Sequence, residues 1–255
     1  MTGVQTCALP ISSGGTVTVD SGDTTLVAGT IEAKGSGGAG GTVQVLGGKV
    51  GLIGNASIDV SGESGGGTVL VGGDFQGNNP AVKNAYRTYV GPETTIAADA
   101  VTSGDGGKVV VWSDDTTRFY GNISARGGSE SGNGGFVEVS GKVNLDFNGR
   151  VNTGASAGQA GTLLLDPQSI TIVDGPAGPN DGELAAGVPN SPDPAGTVYF
   201  GDGSATANYA LSDEALEAQT GNIVLQATQD ITVSTPLSGG LNFVNQTAEI
   251  GRAHV

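Results

Sequence analysis

The chain has few of the side chains on which catalysis and metal binding usually depend. Its 255 residues include one cysteine, one histidine, one methionine and one tryptophan, and charged residues make up only 14% of it. It contains no run of about 18 apolar residues, which excludes a membrane-spanning helix. The net charge of −15 argues against a nucleic-acid partner, because phosphate backbones are bound by basic surfaces.

The composition is also unfavourable for helices, since 47 of the residues are glycine. Glycine does not recur at every third position, so collagen is excluded. Gly, Thr, Val and Ser oppose helices and favour strands and turns. The Val, Ile and Leu residues come in short regular clusters that a disordered chain would lack. The composition therefore predicts an all-β protein.

The two ends of the chain differ from what lies between them. One DNA element read in opposite orientations can encode both residues 6–11 and residues 250–255. We interpret residues 1–11 and 250–255 as translated sequencing adapter and expect them to share no structure with the rest. Cys7, His254 and Met1 lie in these ends, so the remaining chain, an internal piece of a longer protein in this interpretation, has none of these three residue types.

A repeat of about 26 residues runs through the first two thirds of the chain. The pattern Gly-Gly-x-Val-x-Val begins at Gly14, Gly40, Gly66, Gly106 and Gly134, and a variant begins at Ala160. The successive spacings are 26, 26, 40, 28 and 26 residues. The long interval contains an irregular stretch, residues 76–91, that we interpret as an insertion. A fixed period of this kind is typical of repeat architectures.

Alternating apolar residues within each unit predict three short strands, each with one inward face. Short strands at even spacing fit either an antiparallel sandwich or a solenoid. The fixed period favours the solenoid, because stacked coils must keep equivalent residues in register. We therefore predict a parallel β-helix, in which Val109 and Val137 point inward and Lys108 and Glu138 point outward to solvent. A sandwich or open sheet remains the alternative.

The pattern divides the chain into segments. Residues 12–174 are predicted to be β-helix coils, and residues 175–220 a loop and short-helix excursion. Within that excursion, residues 210–219 predict a helix with Ser212 as its N-cap. Residues 221–249 return to strand alternation, so we expect the stack to resume there.

Several of these stretches resemble the filamentous haemagglutinin family of large exoproteins, the adhesins of two-partner secretion systems. The resemblance is carried by residues 106–114 (GGKVVVWSD) with Thr117, Phe119, Gly121 and Ile123, by residues 132–141 (GNGGFVEVSG) and by residues 161–167 (GTLLLDP). The family's amino-terminal secretion module is not recognisable, so the chain resembles the shaft that follows it.

This resemblance implies a right-handed parallel β-helix that is exported through an outer-membrane transporter partner. It further implies an extracellular or cell-surface location and attachment to a surface glycan or protein on a host or neighbouring cell. A self-associating matrix scaffold would differ from an adhesin only in its partner.

The sequence predicts no catalytic residue, cofactor or metal ligand. Without histidine or cysteine between the ends, a Ser-His-Asp triad, a cysteine nucleophile and a typical zinc site lack their parts. The adjacent carboxylates Asp114 and Asp115 are assigned to a turn, and Asp213 and Glu214 to the start of a helix. A β-helical polysaccharide hydrolase or lyase is the opposing class, since such enzymes use carboxylates. It would need a carboxylate pair on one exposed face, two or three coils apart, beside Arg or Lys, and the sequence shows no such alignment.

Aromatic side chains are the remaining candidates for binding. Trp112, Phe119 and Tyr120 share one coil, and Phe119 is predicted to lie in the core. Trp112 is predicted to point outward, where it could stack on a carbohydrate or cover the insertion, and covering is the favoured role. Tyr86 and Tyr89 lie in the insertion.

Overall fold

The described part of the chain is built from parallel β-strands that stack coil upon coil. A computed structural model describes residues 7–8, 14–174, 210–234, 237, 240–241 and 248–250. Every strand pair in these residues is parallel. This arrangement is a parallel β-helix and excludes the antiparallel sandwich.

Each coil passes through three sheets, here called faces 1, 2 and 3. Face 1 contains, in stacking order, β2 (Thr16–Asp20), β5 (Thr42–Leu46), β8 (Thr68–Val71), β11 (Lys108–Ser113), β14 (Phe136–Gly141), β17 (Thr162–Leu165), β20 (Asn222–Leu225) and β22 (Ala248–Ile250). Face 3 contains β1 (Cys7–Ala8), β4 (Thr30–Glu32), β7 (Ser57–Asp59), β10 (Thr95–Ala97), β13 (Asn122–Ser124) and β16 (Arg150–Asn152).

Face 2 has two parts. The first contains β3 (Thr24–Val27), β6 (Lys49–Leu52), β9 (Arg87–Val90), β12 (Thr116–Phe119) and β15 (Asn144–Phe147). The second contains, in stacking order, β19 (Ala210–Ser212), β18 (Ile170–Val173) and β21 (Ile231–Val233). Since β19 contacts β15, the second part continues the first. The stack resumes after residue 220, where β20 pairs with β17 and β21 pairs with β18.

The register between the first coils follows the repeat of the sequence. Thr16 pairs with Thr42 on face 1, an interval of 26 residues, as predicted. The interval is 25 on face 2, where Thr24 pairs with Lys49, and 27 on face 3, where Thr30 pairs with Ser57. The small differences reflect turns of unequal length at the three corners. Equivalent inward side chains of successive coils therefore still lie directly above one another.

The inward side chains form one continuous apolar core. Val43, Val69, Val109 and Val137 are fully buried and lie in register on face 1, as predicted, and Val17 packs against them at the first coil. Phe119 is also fully buried and stacks on Phe147 of the next coil, with ring centroids 5.4 Å apart. Burial of such a ladder is the main favourable contribution to stacking, since each coil contacts only its neighbours.

The excursion differs from its prediction at its C-terminal end. The helix, α1 (Asp213–Glu217), begins at the predicted N-cap, where the Ser212 hydroxyl accepts a hydrogen bond from Ala215 N. Residues 210–212, predicted to be helical, instead form β19, because they complete the hydrogen bonding of β18. Residues 175–209, the rest of the predicted excursion, lie outside the described residues.

The predicted separation of the two ends is wrong for the end residues that the structure describes. Cys7 and Ala8 pair with Ile31 and Glu32 on face 3, and Ile250 pairs with Leu225 on face 1. The outermost strand of a parallel stack presents unpaired backbone N–H and C=O groups, and these accept any strand that lies alongside. Shared backbone pairing therefore requires no sequence relationship to the repeat.

Candidate functional site

The adjacent carboxylates singled out from the sequence have structural partners. Asp115 accepts a hydrogen bond from Arg87 Nε at 2.7 Å. Asp114 Oδ1 accepts from Asn84 Nδ2 at 3.0 Å and from Trp112 Nε1 at 3.2 Å. Asp213 Oδ1 accepts from Glu214 N at the start of α1, where acidic residues favour the helix dipole. These carboxylates hold turns and termini in place.

The segment between β8 and β9, residues 72–86, folds back over face 1, and we call it the clasp. It ends before β9, so the predicted insertion at residues 76–91 is wrong at its C-terminal boundary. The predicted covering role of Trp112 is confirmed, because this side chain is 4% exposed and packs with Leu46, Leu70, Val82 and Val110 in a second apolar cluster. A buried indole has no free face on which a carbohydrate could stack.

The tyrosines singled out from the sequence separate into buried and exposed residues. Tyr89 and Tyr120 are buried and meet edge to face, with ring centroids 5.9 Å apart. Tyr120 also donates to Asp146 Oδ2 at 2.6 Å, and burial followed by this carboxylate raises the pKa of the Tyr120 hydroxyl. Tyr86, at the end of the clasp, is 56% exposed, with the Arg87 guanidinium 5.3 Å from its ring centroid.

An ion pair and an aromatic contact fix the first part of the clasp. Lys108 Nζ on β11 lies 2.6 Å from Asp74 Oδ1. The Asp74 carboxylate also accepts from Phe75 N at 2.7 Å and from Asn79 Nδ2 at 2.8 Å. Phe75 meets Phe136 of β14 edge to face at 5.7 Å, and 40% of its side chain stays exposed.

A pair of carboxyl groups from adjacent coils lies beneath the clasp. Gln76 N donates to both carboxyl oxygens of Glu138, at 3.2 and 3.1 Å. Gln76 Nε2 donates to Asp166 Oδ2 at 2.9 Å. Glu138 points outward from β14, as predicted, but the expectation that it faces solvent is wrong. The clasp covers it completely and leaves it fully buried.

The environment of this pair favours the protonated form of Glu138. Burial, opposed by the hydrogen bonds from Gln76 and Ser140 and assisted by the nearby Asp166, raises the pKa of Glu138 to about 7. Burial also raises the pKa of Asp166. Asp166 Oδ1 is buried and has no hydrogen-bond partner in the described residues. A carboxylic acid with a pKa near 7 beside a second carboxyl group is capable of general acid–base chemistry when a substrate can reach it.

The sequence contained only an indirect signal of this arrangement. The contacts of Gln76 span 62 residues to Glu138 and 90 residues to Asp166. Alternation along β14 gives the outward direction of Glu138, but not what covers it. The usable signal is the 40-residue spacing, because the surplus chain must lie on some face of the stack.

A second polar region follows the strands of face 3. Asp99 accepts from Ser124 Oγ at 2.6 Å and pairs with Arg126 Nη2 at 2.8 Å. Two open grooves that share Arg126 and Asn152 are lined mainly by Ser, Thr, Asn and Ala side chains. The charged residues that line these grooves are Asp99, Arg126 and Arg150.

The described residues contain no group of three or more His, Cys, Asp or Glu side chains placed to hold a metal ion. Within the same residues, no helix is long and apolar enough to cross a membrane. The chain matches no protein-family model and no curated protein sequence. The fold defines the class as a parallel β-helical solenoid, and the clasp covers part of the outer surface of face 1.

Proposed function

We propose that the chain is a structural shaft segment of a secreted or surface-exposed bacterial adhesin, which mediates attachment or scaffolding without catalysis. The observation that carries the proposal is the parallel stack on face 1, which continues in register from β2 to β22 in the described residues. Such a stack is quasi-one-dimensional and holds surface side chains at fixed intervals of about 4.8 Å along its axis. The resemblance to filamentous haemagglutinin-like exoproteins supports the same role.

Two features suit export through an outer-membrane transporter partner. The chain has one cysteine, so no intrachain disulfide can form and obstruct passage of an extended polypeptide. The strand contacts are between adjacent coils, which allows coils to fold one after another as they emerge. These features support our proposal that the protein acts outside the cell or on its surface.

Attachment can be tested with latex beads that carry the full chain. We expect saturable adhesion of coated beads to epithelial monolayers or to bacterial cells, and loss of adhesion when the stack is disrupted by Val109→Asp. Gln44→Asp, an outward substitution on the same face, is the matched control and should preserve adhesion. Coated beads that bind no cell surface would contradict the adhesive role. Beads that bind only one another would favour a self-associating scaffold.

A polysaccharide-active enzyme is the second candidate, and Glu138 with Asp166 is the observation that favours it. The two carboxyl groups come from adjacent coils, and Lys108 lies nearby on β11. Against it, Glu138 is fully buried, so no polymer reaches it while the clasp is docked. We expect no release of reducing or unsaturated ends from acidic or neutral polysaccharides. Release that is lost in Glu138→Gln and Asp166→Asn, but retained in the exposed control Glu130→Gln, would establish the enzyme.

A further inference from the structure

The clasp is attached to the stack through the same carboxyl pair that it buries. We propose that the clasp is a pH-dependent device, docked on face 1 when Glu138 is protonated and released locally when Glu138 and Asp166 are both charged. Release would uncover the apolar surface of face 1 that surrounds Trp112.

Gln76 connects the clasp to both carboxyl groups. One residue supplies hydrogen bonds to carboxyl groups of two different coils, through its backbone to Glu138 and through its side chain to Asp166. It adopts a left-handed backbone conformation, with φ of 52° and ψ of 22°, which is unfavourable for a residue other than glycine. The docked contacts must offset this strain, so weakening them favours release.

Ionisation of Glu138 strengthens the hydrogen bond from Gln76 N, but it also places a charge in a buried site near Asp166, and the effect of burial is the larger one. The titratable or charged groups around Glu138 are Asp166, which follows β17, Lys108 on β11, and Asp74 on the clasp, which pairs with Lys108. With both carboxyl groups ionised, two negative charges lie near one ammonium group, that of Lys108, which already pairs with Asp74. Opening the clasp returns Glu138 to water, where the ordinary pKa of a glutamate is about 4.3. Raising the pH through 7 therefore favours the open state.

The clasp covers a surface that would otherwise be apolar. Val82 of the clasp packs with Leu46, Leu70, Val110 and Trp112 of face 1. Gly77 lies against the indole so closely that a Cβ at this position would stand 2.6 Å from ring atoms of Trp112. Because Trp112 is the one tryptophan of the chain, its fluorescence reports this contact alone.

Hydrogen exchange of the clasp amides measures its opening directly. Ala85 N donates to Gly72 O, and Gly77 N donates to Asp74 O, so both amides are protected only while the clasp is folded. From the raised pKa of Glu138, the opening constant should increase by about two orders of magnitude between pH 5 and pH 8. The protection factors of these amides, corrected for the intrinsic dependence of exchange on pH, should fall by the same factor. Acrylamide quenching of Trp112 should rise over the same interval.

Three comparisons make the test decisive. In Glu138→Gln, which keeps an acceptor for Gln76 but cannot ionise, the protection factors should change by less than about threefold over this interval. Backbone amides of face 3, such as Thr95 N, should stay protected in the wild type, since the release is local. His254 is the one histidine of the chain, and histidine side chains ordinarily change charge near neutral pH. The protection factors of His254→Gln should therefore depend on pH as those of the wild type do. An unchanged protection factor in the wild type, or an equal fall in Glu138→Gln, would overturn the proposal.

Discussion

Gly107 lies so close to Gly67 of the preceding coil that a Cβ atom on Gly107 would stand 2.1 Å from the carbonyl oxygen of Gly67. The same approach recurs at Gly135 over Gly107, also at 2.1 Å, and at Gly161 over Gly135, at 2.0 Å. Each glycine opens a strand of face 1 at a corner where successive coils meet backbone to backbone. The second glycine of the repeated Gly-Gly pair is therefore required by stacking.

This contact predicts that Gly107→Ala destabilises the stack, because the colliding atom is backbone and cannot rotate away. We expect a loss of more than about 2 kcal/mol in the free energy of unfolding, in the range for overpacked sites. Gly37→Ala is the control, since a Cβ at Gly37 meets nothing within 4 Å. Chemical denaturation followed by circular dichroism measures both. Equal midpoints for the two variants would show that the close approach imposes no constraint.

The inward and outward positions of one strand should respond very differently to the same substitution. Val43 is fully buried between Val17 and Val69, whereas the neighbouring Gln44 is only partly buried. Val43→Asp places a carboxylate in the apolar core and should cost several kcal/mol, roughly the penalty for an unpaired buried polar group. Gln44→Asp should cost less than about 1 kcal/mol. Similar denaturation midpoints for the two variants would contradict the assignment of the core.

The stability of the protein should decrease as the pH rises through neutrality. The pKa of Glu138 is about 7 in the folded chain and ordinary in the unfolded chain, so the folded state binds more protons between about pH 4.5 and 7. The stabilising contribution of the protonated group is present below this interval and lost above it, by an amount on the order of 3 kcal/mol.

Glu138→Gln removes this dependence. The variant should be more stable than the wild type at pH 8, and the difference should shrink to about 1 kcal/mol at pH 5. Denaturation midpoints at the two pH values measure the effect, with the exposed Glu130→Gln as the control. A variant less stable than the wild type at pH 8 would mean that Glu138 is a stabilising buried anion.

The solenoid could be predicted from the sequence because its signal is local and periodic. The Gly-Gly-x-Val-x-Val spacing gives the 26-residue interval of face 1 directly, and alternation identifies Val43 and Val109 as core residues. Residues 210–212 form a strand instead of the predicted helix, because backbone pairing with β18, about 40 residues earlier in the chain, overrides local helix preference. Such tertiary pairing leaves no trace in the segment itself.

The candidate site could not be predicted for a related reason. Glu138 and Asp166 lie 28 residues apart in the sequence, on adjacent coils, and both are covered by the clasp, which precedes them in the chain. The spacing of the repeats shows neither the face on which the clasp docks nor that Glu138 is buried. Trp112 was the accessible clue, since an outward tryptophan on a solenoid requires either a ligand or a cover.

The parallel register of adjacent coils determines which side chains are buried and where the clasp docks. An engineered disulfide tests this register most directly. Thr18 and Gln44 are outward register partners on adjacent coils of face 1, and strands so paired are about 4.8 Å apart, within the reach of a disulfide. In a Cys7→Ser background, Thr18→Cys with Gln44→Cys should oxidise to an intrachain disulfide that mass spectrometry detects. Thr18→Cys with Thr42→Cys, two residues out of register, should not. Efficient closure of the second pair, or failure of the first in the folded chain, would contradict the parallel β-helix.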